Sequence, residues 1–212
     1  MSGFTIAILL LGLLAAYLLG SLPTGFLLAK VLQGIDIREH GSGNTGATNV
    51  FRVMGKGPGI TALAIDLLKG AIAVVLMQWL VAVPLAGRLS ADAMAWACVL
   101  AALLAVLGHS KSVWLGFTGG KSAATGLGVL LALAWPVGLS VAAVFGVVLA
   151  ISRTVSVGSM AAAVSAGVFM VLLAQPLAYV LLAIAGGLYV VARHSSNISR
   201  LMAGTEPKTF GG

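Results

Sequence analysis

Seven long apolar runs, separated by short polar stretches, constrain this chain more than any other feature. They can be drawn at about 4–30, 58–83, 92–108, 122–134, 137–151, 158–174 and 177–193. A bilayer core about 30 Å thick is crossed by about 20 apolar residues in a helix, and lipid obliges every backbone polar group to find its partner within the protein. The 212 residues are 60% hydrophobic and 8% charged, with a mean hydropathy of +1.11, whereas soluble domains run at roughly 45–50% apolar. No interval between the runs is long enough for a separate soluble domain. The expectation is one integral membrane domain over 1–212, an all-α polytopic bundle with seven transmembrane helices. The first run follows Met1-Ser2-Gly3, without a basic leader or a small-residue cleavage site, and reads as a retained helix.

Two prolines decide the span count. Pro136 divides the run from Ser122 to Ile151, and Gln175-Pro176 divides the run from Gly158 to Val191. With the N-terminus outside and seven spans, the loop cations, among them Arg38, Arg52, Lys121, Arg153 and Arg200, fall on the cytoplasmic side or at its boundary, and Arg88 falls outside. A kinked single helix at Pro136 would move Arg153 outward and separate His194 from Lys121. The seven-span reading puts the C-terminus in the cytoplasm and brings the polar segments 33–57, 109–121 and 194–212 to one face, where they can line a shared cavity.

The formal charge of +7 is spread among loops rather than gathered into an arm, with few aromatics between the cations, which excludes nucleic acid as a partner. Such loops serve as topology signals and can also hold anionic substrates or lipid head groups. Cys98 is the single cysteine, inside an apolar run, so no intrachain disulfide or cysteine metal cluster is possible and it reads as a small packing residue. The three histidines lie in separate segments and the few acids are scattered, so neither a bound metal nor a cofactor is expected.

The first polar cluster, Arg38 to Gly57, reads REHGSGNTGATNVFRVMGKG. Glycines let backbone amides approach an anion closely, and hydroxyls with a guanidinium supply donors suited to phosphate oxygens. A flexible linker is the alternative, but small donors followed by Arg52 and Lys56 favour a phosphate cradle containing Ser42, Gly43, Asn44 and Arg52. The second cluster reads GHSKSVWLGFTGGKSAATG from Gly108. It fails as a nucleotide-binding loop, because Leu115 stands where the first glycine is required and no soluble strand precedes it. Gly119, Gly120 and Lys121 before an apolar helix still suit a phosphate. His109 and Lys111 either donate to substrate or mark the membrane boundary, and Trp114 and Phe117 read as interfacial anchors. The third cluster, RHSSNISRLMAGTEPK, puts His194 and Asn197 on one helical face; an amphipathic tail resting on lipid is its alternative. Asp66 and Lys69, spaced for an intrahelical pair inside the second run, read as mutually neutralised and outside the site.

Taken together, GSLPTG at 20–25, GSGNTGATN at 41–49 with Arg52, GHSKSVWLGFTGGKSAAT at 108–125 and HSSNISRLMAGTE at 194–206 resemble the bacterial acyl-phosphate:glycerol-3-phosphate acyltransferases, in order and over almost the whole chain. The resemblance implies a seven-helix enzyme of the bacterial cytoplasmic membrane, working on its cytoplasmic face. It would transfer a fatty acyl group from acyl phosphate to the 1-hydroxyl of glycerol 3-phosphate, giving lysophosphatidate and phosphate. It implicates Ser42 and Arg52, then Gly119, Gly120 and Lys121, then His194, Asn197 and Glu206. Ser122 departs from it, standing where the family commonly has another glycine. A histidine followed five residues later by aspartate, the mark of a different acyltransferase class, is absent.

The expected chemistry is direct transfer by a monomer among membrane lipids. Lys121 and Arg52 would stabilise developing charge, Ser42, His194 and Asn197 would orient glycerol 3-phosphate, and Glu206 would order the tail or a basic neighbour. A transporter of a small organic phosphate is the alternative, since broken helices and glycine-rich backbone also build anion sites in transporters. A metal-dependent phosphatidyl transferase would need clustered aspartates, and Asp36, Asp66 and Asp92 are isolated.

Overall fold

The computed structural model describes residues 2–208 and is helical throughout, with no strand among the described residues. The chain folds as two compact units, one through Leu133 and one from Ala134.

The first unit contains α1 (Gly3–Ser21), α2 (Thr24–Gln33), α3 (Ala47–Met54), α4 (Lys56–Ala82), α5 (Ala91–Ser110) and α6 (Ala123–Leu133). The first apolar run, expected as one helix over 4–30, is broken at Leu22-Pro23. Proline lacks a backbone donor and pushes its predecessor out of helical angles, and Leu22 has φ −52° and ψ 115°. Serines start two of the long helices: Ser2 Oγ accepts from Thr5 N at 3.3 Å, and Ser90 Oγ from Ala93 N at 3.2 Å.

Small residues make the core of this unit. Ala16 of α1, Ala73 and Met77 of α4, and Ala97, Cys98, Ala101 and Ala105 of α5 form one buried cluster, which bears out the packing role of Cys98. Glycines bring the backbones into contact. A Cβ on Gly20 would run into the Ala105 carbonyl, one on Gly108 into the Tyr17 carbonyl, and one on Gly128 into the Leu67 carbonyl. In a membrane, where apolar burial gives helices no preference for one another over lipid, such close approach is a main source of association. Polar bonds lock the same contacts: Tyr17 OH donates to Lys111 O at 2.9 Å and Ser112 Oγ to Ser21 O at 2.6 Å.

The second unit contains α7 (Trp135–Ser152), α8 (Val155–Leu172), α9 (Leu177–Arg193) and α10 (Ser195–Met202). Pro136 lies in the first turn of α7 and Pro176 immediately precedes α9, so both prolines separate helices as expected. Within this unit α8 packs against α7 and α9, and a Cβ on Gly187 would press on the Ala163 carbonyl at 2.6 Å.

The helices α1, α4, α5, α7 and α8 are each long and apolar enough to cross a membrane, and α9 with α10, bent by 56°, makes a sixth candidate. Their outward faces are apolar, with Leu10 61% and Leu188 69% exposed. The chain is an integral membrane protein. The expected seventh crossing falls on α6, whose 11 residues reach only about 16 Å at 1.5 Å per residue.

Candidate active site

The first glycine-rich cluster is wound around one buried amide. Asn49, on α3 and 2% exposed, accepts from Ser42 N on Oδ1 at 2.8 Å. Its Nδ2 lies 2.9 Å from Asn44 O, 3.0 Å from His40 O and 3.3 Å from Ile37 O. Gly41 and Gly43 take φ of 61° and 70°, a left-handed backbone that glycine adopts without steric cost. Asn44 Oδ1 accepts from Gly46 N at 2.9 Å, and a Cβ on Gly25 of α2 would meet the Thr45 carbonyl. Ser42 and Arg52 are exposed on this rigid loop and on α3, and Arg52 forms no ion pair among the described residues. The Asn49 side chain thus organises the cradle from beneath rather than presenting a donor to it. The Asn at N3 of α3 following a Gly/Ser/Asn run was the available signal.

Beside this loop, Asp36 is clamped by Arg38. The guanidinium donates from Nη2 at 2.6 Å and from Nε at 3.0 Å, and Arg38 N donates to the same carboxylate at 3.0 Å. These bonds hold the Asp36 carboxyl at about 2, far below its usual range. Arg38 also lies 5.3 Å from the Phe26 ring centroid, so it is committed to its neighbours, and its charge offsets Asp36.

The second cluster leads into α6. Gly120 N donates to His109 O at 3.1 Å and Ser112 N to Thr118 O at 3.2 Å, which folds 109–120 into a closed loop. A Cβ at Gly119 would strike the His109 carbonyl, and one at Gly120 the His109 ring, so the glycines are required by the space. Ser122 takes φ 63°, a left-handed conformation that costs a side-chain-bearing residue roughly 1–2 kcal/mol. Its buried hydroxyl donates to Val106 O at 2.8 Å, which offsets about 0.5–1.5 kcal/mol of that. Lys121 is partly buried between the glycines and α6, where the first amides of the helix have no intrahelical acceptor.

The two glycine loops border one cavity of about 400 Å³, lined by Gly43 and Thr45 from the first, Thr118 and Gly119 from the second, and Asp36, Arg38 and Glu39 at its rim. Trp114 and Phe117 are 62% and 59% exposed, as interfacial anchors require. His109 and Lys111 part company: His109 is buried beside Asp66, while Lys111 is exposed.

The third cluster belongs to the second unit. His194, 4% exposed, sits at the bend between α9 and α10. Its Nδ1 lies 2.7 Å from Val190 O; a carbonyl can only accept, so Nδ1 is the donor. Asn197 is buried one turn on. Its Nδ2 donates to Glu206 Oε1 at 2.6 Å, Ser156 Oγ donates to the same oxygen at 2.7 Å, and Arg200 Nε donates to Oε2 at 2.7 Å. Glu206 therefore ties the tail to α8 and α10, the ordering role expected of it. Burial alone would raise its pKa, but the donors Asn197, Ser156 and Arg200 outweigh that and hold it below its ordinary value.

The family described as Glycerol-3-phosphate acyltransferase matches residues 10–204. The glycerol-3-phosphate acyltransferase of Acaryochloris marina is 54% identical over 202 residues, covering 92% of this chain and 90% of that protein. That of Nostoc sp. is 53% identical over 212 residues, covering 97% and 94%. Among solved structures, PlsY, an integral membrane glycerol 3-phosphate acyltransferase, matches in its glycerol 3-phosphate form with a TM-score of 0.85 and 39% identity over 96% of each chain. Its lysophosphatidic acid form matches with a TM-score of 0.82, 38% identity and coverage of 96% of this chain and 95% of that one. Motif order, helical membrane architecture and these likenesses agree, and the chain belongs to the glycerol-3-phosphate acyltransferase family.

Proposed function

We propose that this chain transfers a fatty acyl group from acyl phosphate to the 1-hydroxyl of sn-glycerol 3-phosphate, giving 1-acyl-glycerol 3-phosphate and inorganic phosphate, an early step of phospholipid synthesis. The observation that carries this reading is the cavity of about 400 Å³ bordered by both glycine loops, in a family whose solved relative has a glycerol 3-phosphate form and a lysophosphatidic acid form. Acyl phosphate is already activated, so no acyl-enzyme is required. The acceptor hydroxyl oxygen attacks the acyl carbonyl carbon, the bond from that carbon to the phosphate oxygen breaks, and the proton passes to a phosphate oxygen of the acceptor.

In this reaction Lys121 and Arg52 stabilise the negative charge that develops, and Gly43, Gly119 and Gly120, which carry no side chain, let the phosphate oxygens approach the loops closely. Ser42, Asn44, His194 and Asn197 orient glycerol 3-phosphate, so that binding converts a bimolecular encounter into a positioned one. A single acyltransferase domain over 1–212, acting as a monomer, is the proposed unit of this reaction. The distribution of loop cations supports seven spans in the bacterial cytoplasmic membrane, the N-terminus outside, the C-terminus in the cytoplasm and the active site on the cytoplasmic face.

Labelled glycerol 3-phosphate supplied to proteoliposomes together with acyl phosphate separates this function from transport. Conversion to lysophosphatidate is the expected result, and accumulation of unchanged label inside the vesicles would overturn it.

A further inference from the structure

The buried ion pair of α4 reaches the second glycine loop through His109. Asp66 and Lys69 are 1% and 4% exposed. Lys69 Nζ lies 2.9 Å from Asp66 Oδ1 and donates to Leu22 O at 2.7 Å, a carbonyl that also accepts from Thr24 N at 3.0 Å where α1 breaks before Pro23. On its other side the same Asp66 oxygen faces His109 Nδ1 at 3.6 Å, too long for a hydrogen bond but close enough to orient the ring electrostatically. The opposite edge of that ring occupies the place where a Cβ of Gly120 would stand, and the His109 carbonyl accepts from Gly120 N. A continuous path of polar contacts thus runs from the α1–α2 break through α4 and α5 to Gly120.

The path is costly, since charges inside a membrane protein carry a desolvation penalty that mutual attraction need not repay. Packing alone would be served by apolar side chains. A loop of two glycines has no side chains with which to fix itself, and amides bind an anion strongly only when they are held in place beforehand. We propose that His109, oriented by the Asp66–Lys69 pair, is a positioning residue that holds the Gly119–Lys121 backbone in its phosphate-binding form. The proposal rests on that loop being the phosphate cradle of the proposed function, and it gives the α4 pair a role in substrate affinity.

The test compares His109→Phe, which fills the same space without facing Asp66 with a nitrogen, His109→Asn, whose amide still faces the carboxylate, and the double variant Asp66→Leu/Lys69→Met, which removes both charges together and leaves no uncompensated ion. KM is measured separately for acyl phosphate and glycerol 3-phosphate, and binding of inorganic phosphate by calorimetry. His109→Phe and the double variant should weaken phosphate binding and raise KM for at least one substrate by about tenfold with kcat largely kept, the signature of lost uniform binding, while His109→Asn recovers part of the loss. Unchanged phosphate binding in whichever of these two variants folds, or a fall in kcat at constant KM, would overturn the proposal. Wild-type protein that makes no lysophosphatidate would sink the acyltransferase reading instead, and the calorimetry would still decide the positioning role.

Discussion

The side chain of Asn49 holds the backbone of Ser42. The Ser42 N–H donates to Asn49 Oδ1 at 2.8 Å while Asn49 Nδ2 faces the carbonyls of Ile37, His40 and Asn44. The loop that presents Ser42 therefore depends on an amide seven residues away, on another element.

Replacing Asn49 by Asp keeps the shape and removes the donor, setting a carboxyl group against three carbonyls. Buried groups left without partners cost about 1–3 kcal/mol, and misplacing a positioning loop by about 1 Å can cost a hundredfold in rate. Asn49→Asp should lose about two orders of magnitude in kcat/KM while still eluting as a folded protein in detergent. Near wild-type kinetics would show that the loop does not depend on this amide.

Ser122 pairs a left-handed backbone with a hydroxyl bound to Val106 O. Ser122→Ala keeps the strain and loses the bond, and should be destabilised by about 0.5–1.5 kcal/mol. Ser122→Gly loses the bond but relieves roughly 1–2 kcal/mol of strain, and should melt close to the wild type. Thermal unfolding in detergent should rank Ala below both others; equal melting of Ala and Gly would contradict the compensation.

Gly108 and Gly126 form a matched pair on α5 and α6. A Cβ at Gly108 would collide with the Tyr17 carbonyl, whereas one at Gly126 would meet nothing within 4 Å. Gly108→Ala should melt well below the wild type, and Gly126→Ala should match or exceed it, since alanine in a helix gains about 0.5–1 kcal/mol over glycine. The same melting experiment on both variants checks this.

Glu206 has a folded-state pKa below its ordinary value of 4.5. A depressed carboxylate stabilises the fold fully above its unfolded pKa, and that stability is lost as pH falls through the folded one. The stability advantage of wild type over Glu206→Gln should be complete at neutral pH and fade below about pH 4.5. An advantage that persists unchanged into strong acid would mean that the carboxylate charge is not what Asn197, Ser156 and Arg200 bind.

The helical class, the prolines as dividers and the two phosphate-loop candidates were legible in the sequence, because hydropathy and glycine spacing are local signals. The break at Leu22-Pro23 was hidden by the apolar residues on both of its sides, which look continuous to hydropathy although Pro23 was visible. The Asp66–Lys69 pair was legible from its spacing within one helix, but the contacts of Asn49 and those of the pair with Leu22 and His109 were not, since each joins elements far apart in the chain. Ser122 was visible beside the Gly-Gly-Lys run, but its hydrogen bond to Val106 O needed α5 alongside.

The acyl donor and the product it yields decide what this enzyme does. Purified protein given glycerol 3-phosphate should form lysophosphatidate and inorganic phosphate in equal amounts from acyl phosphate and none from acyl-CoA, with Lys121→Ala and Ser42→Ala folded but nearly inactive. Lysophosphatidate formed from acyl-CoA, or phosphate released from acyl phosphate without lysophosphatidate, would contradict it.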